Sequence, residues 1–377
     1  MRVALVHDYL IQAGGAERVV AALHRLFPEA PVFTTIADPE VVGSLLPGAE
    51  IRTSWMQRLP GLRRHFRKYA LFYPAAIESL DLSGYDLVLS SSSAFAKGAV
   101  TDRETCHICY CHTPMRFGWN AEAYAEREAW GPVVRRLLPR LTERLRRWDI
   151  ETCGRPDLYL ANSSVVAARI ARCYGRPARV VPPPVEVDRV RPSGSPGDYF
   201  LIVSRLVGYK RVDLAVEAFT RLGRPLLVIG DGPARRLLER IAGPSVRFLG
   251  RLPDPEVARY YAGCRGVVFP GEEDFGIVPL EANAAGRPVV AFQAGGALDT
   301  VVAGQTGVFF QSQTANALCQ AVAECESRVW RSGVLRRHAE GFREEIFRNR
   351  ILEVVRSALG SGARELLPEA LSATASQ

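Results

Sequence analysis

The chain has 377 residues, 47% of them hydrophobic and 23% charged, with a formal net charge of +8. That length exceeds one ordinary core and predicts two domains, and the composition is that of a globular protein rather than a disordered one. No run of about eighteen apolar residues occurs, which argues against a membrane-spanning helix, and the basic balance suits anionic partners.

Residues 2–7 of the opening M-R-V-A-L-V-H-D-Y-L read as a strand. Asp8 interrupts the apolar run and no small-residue cleavage site follows, so it does not read as a signal peptide. The expected compartment is the cytoplasm, where the eight cysteines need no disulfides. Gln12 to Val20 then open a helix. Gly14 and Gly15 at this strand-to-helix turn would let backbone approach a phosphate, though a plain tight turn explains them equally well. The pattern is not G-x-G-x-x-G, which argues against a dinucleotide cofactor.

Residues 54–72 mix basic and large apolar side chains. Such a stretch suits an anionic membrane surface, or simply a solvated basic helix. Residues 132–148 are also basic, with leucines at near-helical spacing that would pack. No nucleic-acid module is recognisable, so no nucleic-acid partner is expected.

Tyr85 to Ser91 predict a strand ending in a serine-rich turn, and T-C-H-I-C-Y-C-H-T-P follows at 105–114. On a strand, Cys106 and His112 face one side while His107, Cys109 and Cys111 face the other. Zinc bonds of about 2.0–2.3 Å cannot gather ligands so divided, so buried thiols are the better reading and no metal is expected. His112 ends the strand, where an open α/β sheet borders its ligand crevice. Met115, Arg116, Phe117 and Trp119 then offer apolar and basic surface to an acceptor. Residues 156–170 predict a strand, a turn and a helix starting near Ser163 or Ser164. The prolines at 182–184 mark a domain boundary near 186.

Beyond the boundary, a strand from Tyr199 delivers Arg205, and a turn delivers Lys210 ahead of a helix. Two cations there suit a diphosphate; two surface cations are the plain alternative. Residues 226–233 predict a strand and the Gly230 turn, and 246–252 a strand and turn carrying Arg251. Strand and helix alternate throughout, so both halves read as parallel α/β sheets.

Residues 270–290, P-G-E-E-D-F-G-I-V-P-L-E-A-N-A-A-G-R-P-V-V, lie between two apolar strands. Pro279 fits only a first helical turn, Gly286 fits the position after the helix, and Pro288 bars continuation. The helix start around Phe275, Gly276 and Ile277 offers free N–H groups to an anion. Glu273 before it and Glu281 on the helix bracket that site, one facing a sugar and one a ribose diol. A capping carboxylate and a solvated helix residue would also account for them. Residues 360–377 are small and polar and read as a flexible tail.

E-D-F-G-I-V-P-L-E-A-N-A-A-G-R-P-V-V-A-F resembles the Glu-x7-Glu signature of retaining glycosyltransferases of family 4. The segment 295–307, G-G-A-L-D-T-V-V-A-G-Q-T-G, is similar to the one that follows it in that family. The resemblance extends from residue 1 to about 355. H-D-Y-L…G-G-A-E and C-H-T-P look most like bacterial mannosyltransferases of polysaccharide and O-antigen assembly. The resemblance implies the GT-B fold, two Rossmann-like domains whose parallel sheets face across a cleft. Residues 1–185 would be the acceptor-side domain and 186–340 the nucleotide-sugar domain. Residues 341–359, amphipathic from Phe342, would be a terminal helix packing back on the first domain. The implied catalytic group is Glu273, His112, Arg205 and Lys210. The implied donor contacts are Gly14, Gly15, Gly230, Arg251, Phe275, Gly276, Ile277 and Glu281. No D-x-D occurs, so transfer is expected to need no metal or cofactor, the nucleotide sugar being a substrate. The implied reaction moves mannose from GDP-mannose, with retention, to a polyprenyl-linked glycan on the inner face of the cytoplasmic membrane. A UDP-sugar donor, a sugar-nucleotide epimerase and a non-catalytic binder are the alternatives.

Overall fold

The structure is a computed structural model, which describes residues 1–62, 66–119, 132–192 and 194–360. The chain forms two compact units, Met1–Val181 with the chain from Phe347 on, and Pro182–Ile346.

The first unit holds a seven-stranded sheet of β1 (Val3–His7), β2 (Val32–Thr34), β3 (Ile51–Thr53), β4 (Leu87–Ser92), β5 (Cys106–Cys111), β6 (Leu158–Ala161) and β7 (Ala178–Val180). Every pairing is parallel, in the order β3-β2-β1-β4-β5-β6-β7. Its central strands β1, β4 and β5 are buried almost along their whole length, polar residues included. The strand order reverses between β1 and β4, which makes their carboxyl ends a topological switch point. Register sets His7 beside Ser91, and Ser92 beside Cys111. The helix Gly15–Leu26 buries Val19, Val20, Leu23 and Leu26 in a cluster with Val3, Leu5 and Leu89. The helix Glu344–Leu359 adds Phe347, Ile351, Leu352 and Val355 to that cluster. Phe342 lies outside this helix and packs instead with Phe275, ring centroids 6.1 Å apart.

The second unit holds a six-stranded parallel sheet of β8 (Phe200–Val203), β9 (Leu226–Ile229), β10 (Val246–Gly250), β11 (Gly266–Phe269), β12 (Val289–Phe292) and β13 (Gly307–Phe310). The order is β10-β9-β8-β11-β12-β13, so the loops after β8 and β11 open at its switch point. The break between units falls at Val181–Pro182, ahead of the proline run. The Val185 N–H donates to the Phe342 carbonyl at 2.9 Å, and Asp188 pairs with Arg336 at 2.8 Å and Arg343 at 3.2 Å, which ties the prolines to the second unit. Among the described residues, no helix is long and apolar enough to cross a membrane. The expected tail falls, from residue 361 on, outside the described residues.

Candidate functional site

In the first unit the site residues gather at the carboxyl ends of β1, β4 and β5. Gly14 caps the helix Gly15–Leu26, and its N–H donates to Glu17 Oε2 at 3.0 Å. A Cβ on Gly14 would stand 2.7 Å from that oxygen, so the folded-back carboxylate needs the space that glycine leaves. Gly15 is exposed beside it. His7 is buried against the same carboxylate, and its Nδ1 lies 2.9 Å from the Ser91 carbonyl. Burial opposes charge on His7, yet Glu17, Asp8 and the Ser91 carbonyl outweigh it and raise its pKa. Asp8 accepts from four backbone N–H groups, those of Ser93, Ala94, Phe95 and Ala96, at 2.6, 3.0, 2.8 and 2.6 Å. This locks the turn after β4 to the end of β1.

His112 stands just past β5 and is 9% exposed. Its Nε2 is 2.8 Å from Ser91 Oγ, and its carbonyl accepts from Asn162 Nδ2 at 3.1 Å. Burial, with the nearby His7 charge, pushes its pKa down to about 3, so the ring is neutral at ordinary pH. The sequence reading missed His7, Asp8, Glu17 and Ser91. The signals were a charged pair ending an apolar strand and a glutamate at capping-box spacing from Gly14.

Two expectations change here. Met115 is fully buried in the core, and Trp119 donates its indole N–H to Asp149 Oδ2 at 2.9 Å, so neither is open apolar surface for an acceptor. Arg116 is exposed, while the Phe117 side chain lies outside the described residues. In β5, His107 Nε2 is 2.8 Å from Ser90 Oγ, and burial takes the His107 pKa down to about 4. Burial raises the Cys109 thiol to about 12. Among the described residues, no three His, Cys, Asp or Glu side chains are grouped to hold a metal ion.

In the second unit two loops meet. Lys210 ends the turn Gly208–Lys210 and forms an ion pair with Glu273 Oε1; the side chains are 15% and 20% exposed. Close backbone packing sets this pair. A Cβ on Gly271 would lie 2.8 Å from Lys210 Cα. Gly295 and Gly296 back the other side of the Glu273 loop, where the Gly296 N–H donates to the Glu273 carbonyl at 2.8 Å. Arg211 has φ +52°, alone among described non-glycine residues in the left-handed region. Its guanidinium donates to Gln313 Oε1 at 2.9 Å, and Gln313 Nε2 donates to the Pro270 carbonyl at 3.1 Å. These contacts strap the Lys210 turn to the Glu273 loop.

The helix Ile277–Ala284 starts from Gly276 at φ +84°, with Phe275 buried just before it and Ile277, its first residue, half-buried. Arg205 follows β8, exposed, its guanidinium without a hydrogen-bond or ion-pair partner among the described residues. Arg251 follows β10 and is also exposed. Gly230 has φ +126°, and a Cβ there would stand 1.9 Å from the Ser204 carbonyl oxygen. Its requirement is close approach to the backbone that carries Arg205. Glu281, expected to hold a ribose diol, is engaged within the unit. Tyr261 donates its hydroxyl to Oε2 at 2.8 Å, and Arg189 pairs with Oε1 while also bonding Asp254 at 2.6 Å. Arg189 and Tyr261 were invisible to the sequence reading because nothing local marks them. The second unit therefore offers an open cation, a second cation held by a carboxylate, and a helix start beside them. Such a set can bind a polyphosphate anion and stabilise charge growing on it.

Residues 13–189 match the family described as Glycosyltransferase Family 4, and residues 197–327 match Glycosyl transferases group 1. The GDP-mannose-dependent alpha-(1-6)-phosphatidylinositol monomannoside mannosyltransferase of Mycolicibacterium smegmatis is 31% identical over 217 residues, 48% of this chain and 57% of that one. D-inositol 3-phosphate glycosyltransferase 1 of Catenulispora acidiphila is 31% identical over 245 residues, 55% of this chain and 58% of that one. The chain thus spans little more than half the length of these relatives. The crystal structure of Anabaena HepE in complex with UDP superposes with a TM-score of 0.69 over 95% of this chain and 100% of that one, at 19% identity. That likeness is one of fold.

Proposed function

We infer that this chain, which belongs to glycosyltransferase family 4, moves a sugar from a nucleotide donor to a glycan acceptor. The observation that carries this reading is the Lys210–Glu273 pair, clamped by glycines and set ahead of the helix start at Gly276. Arg205 and Lys210 would take the diphosphate and stabilise it as it departs. Glu273, released from Lys210, would orient the donor sugar, and Glu281 would hold the ribose after exchanging a partner. Transfer would proceed with retention and without metal, Arg205 and Lys210 supplying the positive charge that a cation would bring. His112 would serve the sugar as a neutral group.

GDP-mannose is the proposed donor, supported by the name of the mycolicibacterial relative and by the H-D-Y-L…G-G-A-E and C-H-T-P patterns. The same patterns support a place in surface-polysaccharide assembly, with a polyprenyl-linked acceptor at the cytoplasmic face of a membrane. Trp55, Leu71 and Phe72 support membrane contact. They are 40%, 39% and 49% exposed, and Trp55 packs edge-on against Phe72 at 6.2 Å. The basic residues 63–65 of that stretch lie outside the described residues. An inositol-bearing acceptor is the second reading, supported by the names of both relatives.

The test incubates pure protein with GDP-mannose, UDP-glucose and related donors, with and without EDTA, and measures nucleoside diphosphate release and the anomeric form of the product. Release of GDP from GDP-mannose, unaffected by EDTA, with an α-linked product is expected. Turnover only of UDP-sugars would shift the donor. Interconversion of a UDP-sugar without acceptor would mean an epimerase, and donor binding without any product a silent binder.

A further inference from the structure

We propose that Ser91 is a positioning residue that holds His112 as a neutral hydrogen-bond donor, its ring proton on Nδ1. The proposal rests on the reading of His112 as a group that serves the sugar, and it assigns the direction of that contact.

Ser91 is 1% exposed and forms a junction. Its carbonyl lies 2.9 Å from His7 Nδ1, and its hydroxyl lies 2.8 Å from His112 Nε2. His112 is the hydroxyl's only hydrogen-bond partner among the described residues. A serine hydroxyl carries one hydrogen, and a buried one needs an acceptor. His112 Nε2 can accept only when bare. If Nε2 carried the proton, it would donate to Ser91, and the serine hydrogen would be buried with nothing to receive it. The neutral ring therefore keeps its proton on Nδ1.

Burial keeps the ring neutral, and the charge on His7 adds to that effect. A carbonyl only accepts, so His7 Nδ1 is protonated toward Ser91, while Glu17 draws a proton to the other nitrogen. The charged groups near His7 are Glu17 on the helix Gly15–Leu26 and Asp8 at the end of β1. The His7 cation lies close enough to His112 to oppose a second charge there. With Nε2 occupied by Ser91 and Nδ1 protonated, His112 has no free lone pair in the ring plane. It can give a hydrogen bond to a sugar hydroxyl or ring oxygen, and it cannot act as a base.

The experiment labels histidine rings with 15N and records long-range proton–nitrogen correlations, which separate protonated from bare ring nitrogens. Among the six histidines, His112 is identified by the signals lost in His112→Gln. Wild type should show His112 protonated at Nδ1 and bare at Nε2 near neutral pH. Ser91→Ala should mix the two tautomers, and Ser91→Thr, which keeps the hydroxyl, should restore one. Sugar transfer should fall about tenfold in Ser91→Ala, the scale of one lost hydrogen bond, and return in Ser91→Thr. Protonation at Nε2 in wild type, or an unchanged tautomer in a folded Ser91→Ala, overturns the proposal. If wild type itself transfers no sugar, the functional reading fails while the spectra still decide the role of Ser91.

Discussion

Lys210 and Glu273 neutralise each other, and the roles proposed for them give their substitutions different signatures. Lys210→Ala and Arg205→Ala should each weaken nucleoside diphosphate binding by about 1–3 kcal/mol. Unchanged calorimetric affinity in a folded double variant would remove both from the diphosphate. Glu273→Gln keeps size and removes charge. It should bind donor within a few-fold of wild type and transfer about a hundredfold more slowly, a barrier rise of about 2.7 kcal/mol. Glu281→Gln should act on donor affinity instead. It should also destabilise the second unit by about 1–3 kcal/mol, because Arg189, 18% exposed, loses the better-buried of its two carboxylates. Normal affinity together with normal stability in Glu281→Gln would show that the Arg189 contact carries nothing.

At the scale of elements, the glycines divide by what stands opposite them. Gly230→Ala would push a Cβ into the Ser204 carbonyl at φ +126°, a conflict between two backbones, and should cost about 2–4 kcal/mol in denaturant unfolding. Gly14→Ala at φ −102° meets the Glu17 carboxylate, a side-chain end rather than backbone, and should cost less, about 1 kcal/mol. Equal losses in the two variants would refute this division. These turns were legible because a strand, a glycine turn and a helix are written in adjacent residues; Gly276 and Gly286 flank their helix as the spacing predicts, with φ +84° and +71°. What bears on the same turns from afar was not legible. Arg189 reaches Glu281 across 92 positions, and Arg211 reaches Gln313 across 102. Met115 and Trp119 look like open surface in sequence because only the fold brings the core and Asp149 against them.

For the molecule as a whole, two buried histidines of the first unit set a dependence on acid. The ordinary pKa of 6.5 is lowered to about 4 in His107 and about 3 in His112, both chiefly by burial. Unfolded, each ring takes up a proton below about pH 6.5; folded, it resists. Stability should therefore drop on acidification, by about 1.4 kcal/mol per pH unit for each ring, between about pH 6.5 and pH 4. His7, held above the ordinary value, is charged in both states through most of that window and adds little slope. Urea midpoints from pH 7 to pH 5 measure this, and His107→Gln should flatten the curve; an identical curve would refute it. One feature of connectivity reaches further. The strands of the first unit are complete by Val180, yet Phe347, Ile351, Leu352 and Val355 finish its core. A ribosome delivers those four residues only after all of Pro182–Ile346. The unit begun first is thus closed last, and through synthesis of the other it shows an apolar face that a chaperone can hold. A chain stopped at Ile346 should keep that face, bind a hydrophobic dye and aggregate, although every strand of both sheets is present.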